Sequence, residues 1–306
     1  MNRNKMFFCP DLGEKLTTQV MSDLLAKKVF GDESFAELLK ARYVQMGKLF
    51  KATPYDNSGW HLIKHGCKNC DTDNKKDARL KVPREKINSN NANVTRLFDY
   101  DNFGHDMPVW VTYNRNPNAK RVIIVSQDPL RTDDAKGNLY LSTPFGVHSP
   151  DFEEGGREHM DRRVKDMLNA FLEADYLVYM TDYMKFYAKK KGFVKGMVKR
   201  RNDPYGFRAM FSDSLKYEIT EMVKPSFIIF LGSDFTDPNY TNLPFSPQMK
   251  RDRIEEIGWN DSRYRAIITC HTNARFSKTE DNPHPVITHF DNIVEIVLKY
   301  LSSSVA

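Results

Sequence analysis

Three polar residues close runs of apolar residues. Asp128 follows "RVIIVSQ", Asp182 ends "LVYMTD", and His271 follows "YRAIITC". Carboxylates and imidazoles are the side chains that exchange protons and balance developing charge near neutral pH. A single such residue after a strand is usually a cap or a turn residue. Three of them, each behind a separate apolar run, point to chemistry at the mouth of a parallel sheet. Asp128 is the sharpest case, because Pro129 behind it stops the run of Val122, Ile123, Ile124 and Val125 abruptly.

The elements that must position these residues are legible from periodicity. "PVWVTY", "RVIIVSQ", "DYLVYMTDY", "PSFIIFLG" and "YRAIITCH" read as strands, and "NRNPNAK" joins the first two as a turn-rich connection. "EHMDRRVKDMLNAFLEA", "YGFRAMFSDSLKYEITEMV" and "PVITHFDNIVEIVLKYLSS" have helical spacing. Strands alternating with helices predict a three-layer α/β/α sandwich around a central, mostly parallel sheet over residues 101–306. In such sheets ligands bind at the carboxyl ends of the strands, where Gln127, Asp128, Asp182, Gly232, Cys270 and His271 fall. Ahead of this, residues 12–50 carry apolar positions spaced at three and four, and a polar stretch from Asp71 to Thr95 reads as a long loop. Residues 1–100 are therefore expected to be an N-terminal helical extension with a polar loop.

The chain has 306 residues, 40% hydrophobic and 28% charged, the composition of an ordinary globular protein. No apolar run approaches the length of a membrane span, and the apolar patch in "MNRNKMFFCPDLGEK" is too short for a secretory signal. Four cysteines form no disulfide framework, so a reducing, intracellular and cytoplasmic setting is expected. The net charge of +6 suits a polyanionic partner without requiring one.

Five blocks together resemble the uracil-DNA glycosylase superfamily. "VIIVSQDP" is similar to its first motif, a buried strand ending Gly-Gln-Asp-Pro. "TPFGV" resembles the Pro-Phe-Val-Gly segment of its bacterial and archaeal branches, and "VYMTDYMKFY" the strand ending "TNxxKC". "PSFIIFLG" resembles the strand that leaves through Leu-Gly, and "IITCHTNAR" stands where the family has a strand ending His-Pro-Ser. The blocks occur in the family's order across residues 100–300. No single block is specific; the order carries the likeness.

The resemblance implies roles position by position. Asp128 matches the carboxylate that positions or activates the attacking water, where an anion also stabilises the oxocarbenium character of the departing sugar. Gln127 lines the pocket through its backbone. Phe145 matches the aromatic that stacks on the extruded base, Asp182 the asparagine that reads its edge, and His271 the histidine that hydrogen-bonds the leaving base anion. The base must leave the duplex for this chemistry. The loop after His271 is implied to enter the duplex, with Arg275 and Phe276 as wedge residues.

Several positions depart from the family. Ser126 replaces a glycine, Leu130 the tyrosine that excludes the thymine methyl, and Thr272-Asn273 the Pro-Ser after the histidine. Asp182 replaces an amide that offers uracil both a donor and an acceptor; an ionised carboxylate offers acceptors only. Three outcomes stay open: Asp182 is protonated by burial, the base is not uracil, or the protein no longer cleaves bases.

The chemistry implied needs no cofactor. Some relatives hold an iron–sulfur cluster on four cysteines, but Phe186 stands where "TNxxKC" has its cysteine, so that cluster is not expected here. The Cys67-x-x-Cys70 pair with His61 or His65 leaves a zinc site open, although a lone pair is a weak signal. The most basic stretch, "YAKKKGFVKGMVKRRNDPYGFR", interleaves lysines and arginines with aromatics and reads either as a solvated loop or as a phosphate-contacting surface. Lys189, Lys190, Lys199 and Arg200 are its candidate DNA contacts. The sequence thus suggests a monomeric base-excision glycosylase acting on duplex or single-stranded DNA in repair. The alternatives are a non-catalytic nucleic-acid-binding relative and a hydrolase of an unrelated substrate.

Overall fold

A strand covered on both faces is apolar through its centre, and Val122 to Val125 meet that condition: all four are buried. The computed structural model describes residues 7–9, 80–83, 102–106, 108–112, 118–127, 138–147, 160–185, 187–189, 207–237, 241, 243–245, 250–259, 261–271, 276, 279, 281–282 and 285–303. The strands are β1 (Phe7–Cys9), β2 (Leu80–Pro83), β3 (Asn102–Asp106), β4 (Val109–Thr112), β5 (Arg121–Ser126), β6 (Asn138–Ser142), β7 (Leu177–Asp182), β8 (Tyr187–Lys189), β9 (Phe227–Leu231), β10 (Ile254–Trp259) and β11 (Ser262–Thr269). The helices are α1 (Met160–Glu173), α2 (Phe207–Tyr217) and α3 (Pro285–Ser303), and α2 runs on into a π-helical turn, Glu218–Val223.

The main sheet has the order β1-β4-β7-β5-β9-β11-β10. Its four central strands, β7, β5, β9 and β11, are parallel, and β4, β1 and β10 add on antiparallel at the edges. The chain is therefore an α/β protein with a mixed sheet and a parallel centre. Six strands come from residues 109–269, and β1 makes a short seventh at the edge.

Register alternation sends Phe227 and Tyr179 to opposite faces of this sheet. Phe227 meets Tyr300 of α3 with ring centroids 5.7 Å apart. Tyr179 meets the π turn, donating from its hydroxyl to Glu218 Oε2 at 3.2 Å. Arg121, on the same face as Tyr179, donates from Nη1 to Val223 O at 3.0 Å. The buried stripe of α1, Val164, Met167, Leu168, Phe171 and Leu172, has the i, i+3, i+4, i+7, i+8 spacing of an amphipathic helix. The stripe of α3 is Val286, Phe290, Ile293, Val294, Val297 and Leu301, and α1 and α3 pack against each other.

A second sheet, with the order β2-β6-β3-β8, was not expected from the sequence. Its strands are three to five residues long and mix charges with apolar residues, as in "NFGHD", so they carry no clear period. The polar stretch expected to be a loop, residues 71–95, contains β2, which pairs antiparallel with β6 from Leu80–Leu141 to Pro83–Asn138. Strand β10 also escaped detection. It is half-exposed, and Glu255 and Glu256 within it read as polar; the exposed Glu256 is paired by Arg263 at 2.6 Å and Arg265 at 3.0 Å from β11. The helical pattern expected at residues 12–50 lies outside the described residues.

Candidate functional site

The connectivity reverses direction at β5. From β5 the chain crosses through α1 to β7 on one side, then through α2 to β9 on the other. The crevice outside the carboxyl ends of β5 and β9 is the place where open α/β sheets bind ligands. Gln127 leaves β5 there and Gly232 leaves β9. Gly232 has φ +145°, and a Cβ at this position would stand 2.4 Å from the Gln127 side chain. The backbone angle is one that only glycine adopts without strain.

The exits of β5 and β7 remain zipped beyond the regular strands. Tyr183 N donates to Ser126 O at 2.8 Å and Met184 N to Gln127 O at 3.0 Å. The Gln127 carbonyl thus belongs to this turn. The zip holds Ser126 beside Asp182, its register partner, and Ser126 Oγ donates to Asp182 Oδ1. Both residues are buried, Asp182 at 2% exposure, and its Oδ2 is buried as well. The serine at the end of β5 is therefore a direct partner of the carboxylate at the end of β7.

His271 follows β11 through the buried Cys270. Burial pushes the Cys270 thiol up, and the carboxylate of Asp252 adds to that. Phe145 sits in the 3-10 turn Pro144–Gly146, which lies against β7. Its backbone is left-handed, φ 58° and ψ 6°, an uncommon conformation for a bulky residue. Its ring stands 5.9 Å from the His271 ring, tilted by 32°. Three inter-strand steps separate the ends of β7 and β11, about 14 Å at about 4.8 Å per step. The Phe145 ring thus stands at the His271 end of that width.

Phe276, half-exposed, stacks on His289 of α3 at 5.2 Å, and His289 Nε2 is 2.8 Å from Thr269 Oγ1 at the end of β11. Lys189 lies in β8, opposite Asn102. Asp128, Lys190, Lys199, Arg200 and Arg275 lie outside the described residues, as do His61, His65, Cys67 and Cys70. Among the described residues no group of three or more His, Cys, Asp or Glu is placed to hold a metal, and no helix is long and apolar enough to cross a membrane.

Sequence reasoning passed over Ser126 as a functional group, and it passed over Lys185 and Glu218 entirely. Lys185 is the lysine of the "TNxxKC"-like block, which was the available signal; Glu218 gives none, being one more charge in an amphipathic helix. No model of a known protein family matches the chain, and no curated protein matches its sequence.

Proposed function

We propose that this protein is a DNA glycosylase of the uracil-DNA glycosylase type, built on a three-layer α/β/α sandwich, which hydrolyses the N-glycosidic bond of a damaged base flipped out of DNA. The observation that carries the proposal is the Phe145 ring tilted over His271 at the carboxyl end of the sheet. An aromatic face beside an imidazole suits a planar base that must be held and then released. In the proposed reaction Asp128 orients a water and takes its proton while the water oxygen bonds to C1′. The bond from C1′ to the base nitrogen breaks with its electron pair going to the base, and His271 hydrogen-bonds the anion that leaves. Phe145 stacks on the base and Asp182 meets its edge. Lys189, Lys190, Lys199 and Arg200 contact phosphates, and Arg275 and Phe276 fill the gap in the stack.

A second reading is favoured by the Ser126–Asp182 pair. A carboxylate held by a hydroxyl stands where the family has an amide, which suits a relative that binds nucleic acid without cleaving it. One experiment separates the two. Duplex and single-stranded oligonucleotides carrying single deaminated or alkylated bases are incubated with the parent and with Asp128→Asn. The glycosylase reading expects base release from at least one substrate, lowered by orders of magnitude in the variant with binding little changed. DNA binding with no release from any substrate would establish the binding relative instead.

A further inference from the structure

Residues 183–186 carry the chain from β7 of the main sheet to β8 of the second, so the crossing starts at Asp182. Its backbone is held from both sheets. Tyr183 N and Met184 N donate to Ser126 O and Gln127 O at the exit of β5, at 2.8 Å and 3.0 Å. The Asp182 carbonyl accepts from Lys185 Nζ at 2.6 Å. Lys185, 1% exposed, also donates to Thr181 Oγ1 at 2.7 Å and forms an ion pair with the fully buried Glu218 of the π turn. An ammonium has three hydrogens, and these three acceptors use them all. Each of these bonds ties the crossing to the main sheet or to the helix layer on it. The Lys185 carbonyl reaches the other way and accepts from His105 Nδ1 at 2.5 Å.

His105 is fully buried in β3, which lies between β6 and β8. A carbonyl oxygen only accepts, so Nδ1 carries the hydrogen of this bond. Strand β3 pairs in parallel with β6, His105 opposite Leu141 and Asp106 opposite Ser142. Three residues beyond Ser142 the chain reaches Phe145, in the 3-10 turn that lies against β7. His105 thus belongs to both limbs of the proposed pocket. Its strand pairs with the one that delivers Phe145, and its ring holds the turn that follows Asp182. A ring that stacks on the face of a base and a carboxyl that meets its edge must keep a fixed relation. A misplacement of about 1 Å can cost about 100-fold in rate.

We propose that His105 is a positioning residue: its Nδ1–H pins the exit of β7, and with it Asp182, to the sheet that carries Phe145. That the pinned pocket holds a base rests on the glycosylase reading; the pinning does not. The test uses three variants, His105→Asn, His105→Gln and His105→Leu. The amide nitrogen of asparagine is two bonds from Cβ, as Nδ1 is, whereas that of glutamine is three bonds away, as Nε2 is. Two readouts are taken. One is amide hydrogen exchange of residues 183–185, measured relative to β5 in the same molecule so that a change in global stability cancels. The other is single-turnover base release from an oligonucleotide that the parent cleaves. In His105→Leu and His105→Gln, exchange at 183–185 should speed up more than tenfold relative to β5, and base release should slow more than tenfold. In His105→Asn both should stay within threefold of the parent. Equal behaviour of the Asn and Gln variants would overturn the proposal, because the Nδ1 bond would then not matter. Faster exchange with unchanged release would overturn it too, leaving His105 a role in packing. If His105→Leu does not fold, the Asn and Gln variants decide. If the parent releases no base, the glycosylase reading fails, and the exchange rates still decide whether His105 pins the crossing.

Discussion

The Phe145 ring lies 5.9 Å from the His271 ring and is tilted by 32° against it. The two residues come from a 3-10 turn and from the far end of β11, so only the tertiary fold brings them together. Phe145 holds a left-handed backbone, a conformation that costs a bulky residue about 1–3 kcal/mol. Replacing Phe145 with leucine keeps an apolar side chain and removes the flat ring. If the ring stacks on a base, single-turnover release should fall by about 5- to 150-fold, the equivalent of about 1–3 kcal/mol of stacking. An unchanged rate would assign Phe145 to packing alone.

Gly232→Ala tests the crevice between β5 and β9. The added methyl would meet the Gln127 side chain at 2.4 Å, and φ +145° strains any L-residue regardless of space. The Gln127 side chain is flexible and moves aside; the backbone cannot. A loss of about 1–3 kcal/mol in urea unfolding is expected, together with a weaker DNA affinity if Gln127 borders the ligand. Full stability in the variant would mean that the backbone there relaxes freely.

Much of this arrangement was legible in the sequence, for a physical reason. Strands β5, β7 and β9 and the second half of β11 are buried on both faces and read as apolar runs, while α1, α2 and α3 each bury one stripe and must show helical spacing. The second sheet was not legible, because β3 has one apolar side chain, Phe103, among Asn102, Gly104, His105 and Asp106, and β2 lies within a charged stretch. The strand ends were legible as places, but the partnerships were not. Ser126 reads as an ordinary strand-end residue until register sets it beside Asp182. Glu218 becomes meaningful only when the π turn brings it to Lys185 and Tyr179.

Cys270 offers a pH-dependent check on the seat of His271. Burial first, then Asp252, raises its thiol pKa in the folded protein. Below the ordinary thiol value, about 8.5, the group is protonated in both states and its contribution to stability is present in full. As pH rises beyond that, the unfolded chain ionises first, and the contribution is lost as pH climbs through the raised folded value. Stability of the parent should therefore fall relative to Cys270→Ala from about pH 8.5 upward. Alkylation of Cys270 at pH 7.5, mapped by mass spectrometry, should be slower in the folded protein than in urea. Equal alkylation rates would show the thiol to be accessible.

Replacing Lys189, Lys190, Lys199 and Arg200 with glutamine should weaken DNA binding and flatten its dependence on salt. Each phosphate contact releases counterions worth about 0.9 in the slope of log K against log salt, so the four together change it by up to about 3–4. The measurement is a binding series between low and physiological salt. A slope equal to the parent's would show that this segment faces away from the nucleic acid.

The Ser126–Asp182 hydrogen bond makes a directional statement about base choice. In the parent, Ser126 Oγ donates to Asp182 Oδ1. In Asp182→Asn the same hydroxyl prefers the amide oxygen, which turns the amide nitrogen to the position of Oδ2. The nitrogen can then donate to a carbonyl such as O4 of uracil, which a carboxylate repels. Sites whose hydrogen-bonding groups mismatch their ligand lose far more than sites that merely change size. Asp182→Asn should therefore raise uracil release at least tenfold over the parent. Adding Ser126→Ala should remove much of that gain, because nothing then orients the amide. Ser126→Ala alone should cost about 1–3 kcal/mol in unfolding, since it takes the donor from a buried carboxyl. The four proteins are compared on one uracil-containing oligonucleotide and by urea unfolding. Uracil release no better in Asp182→Asn than in the parent, with both folded, would mean that Asp182 does not meet the edge of the base.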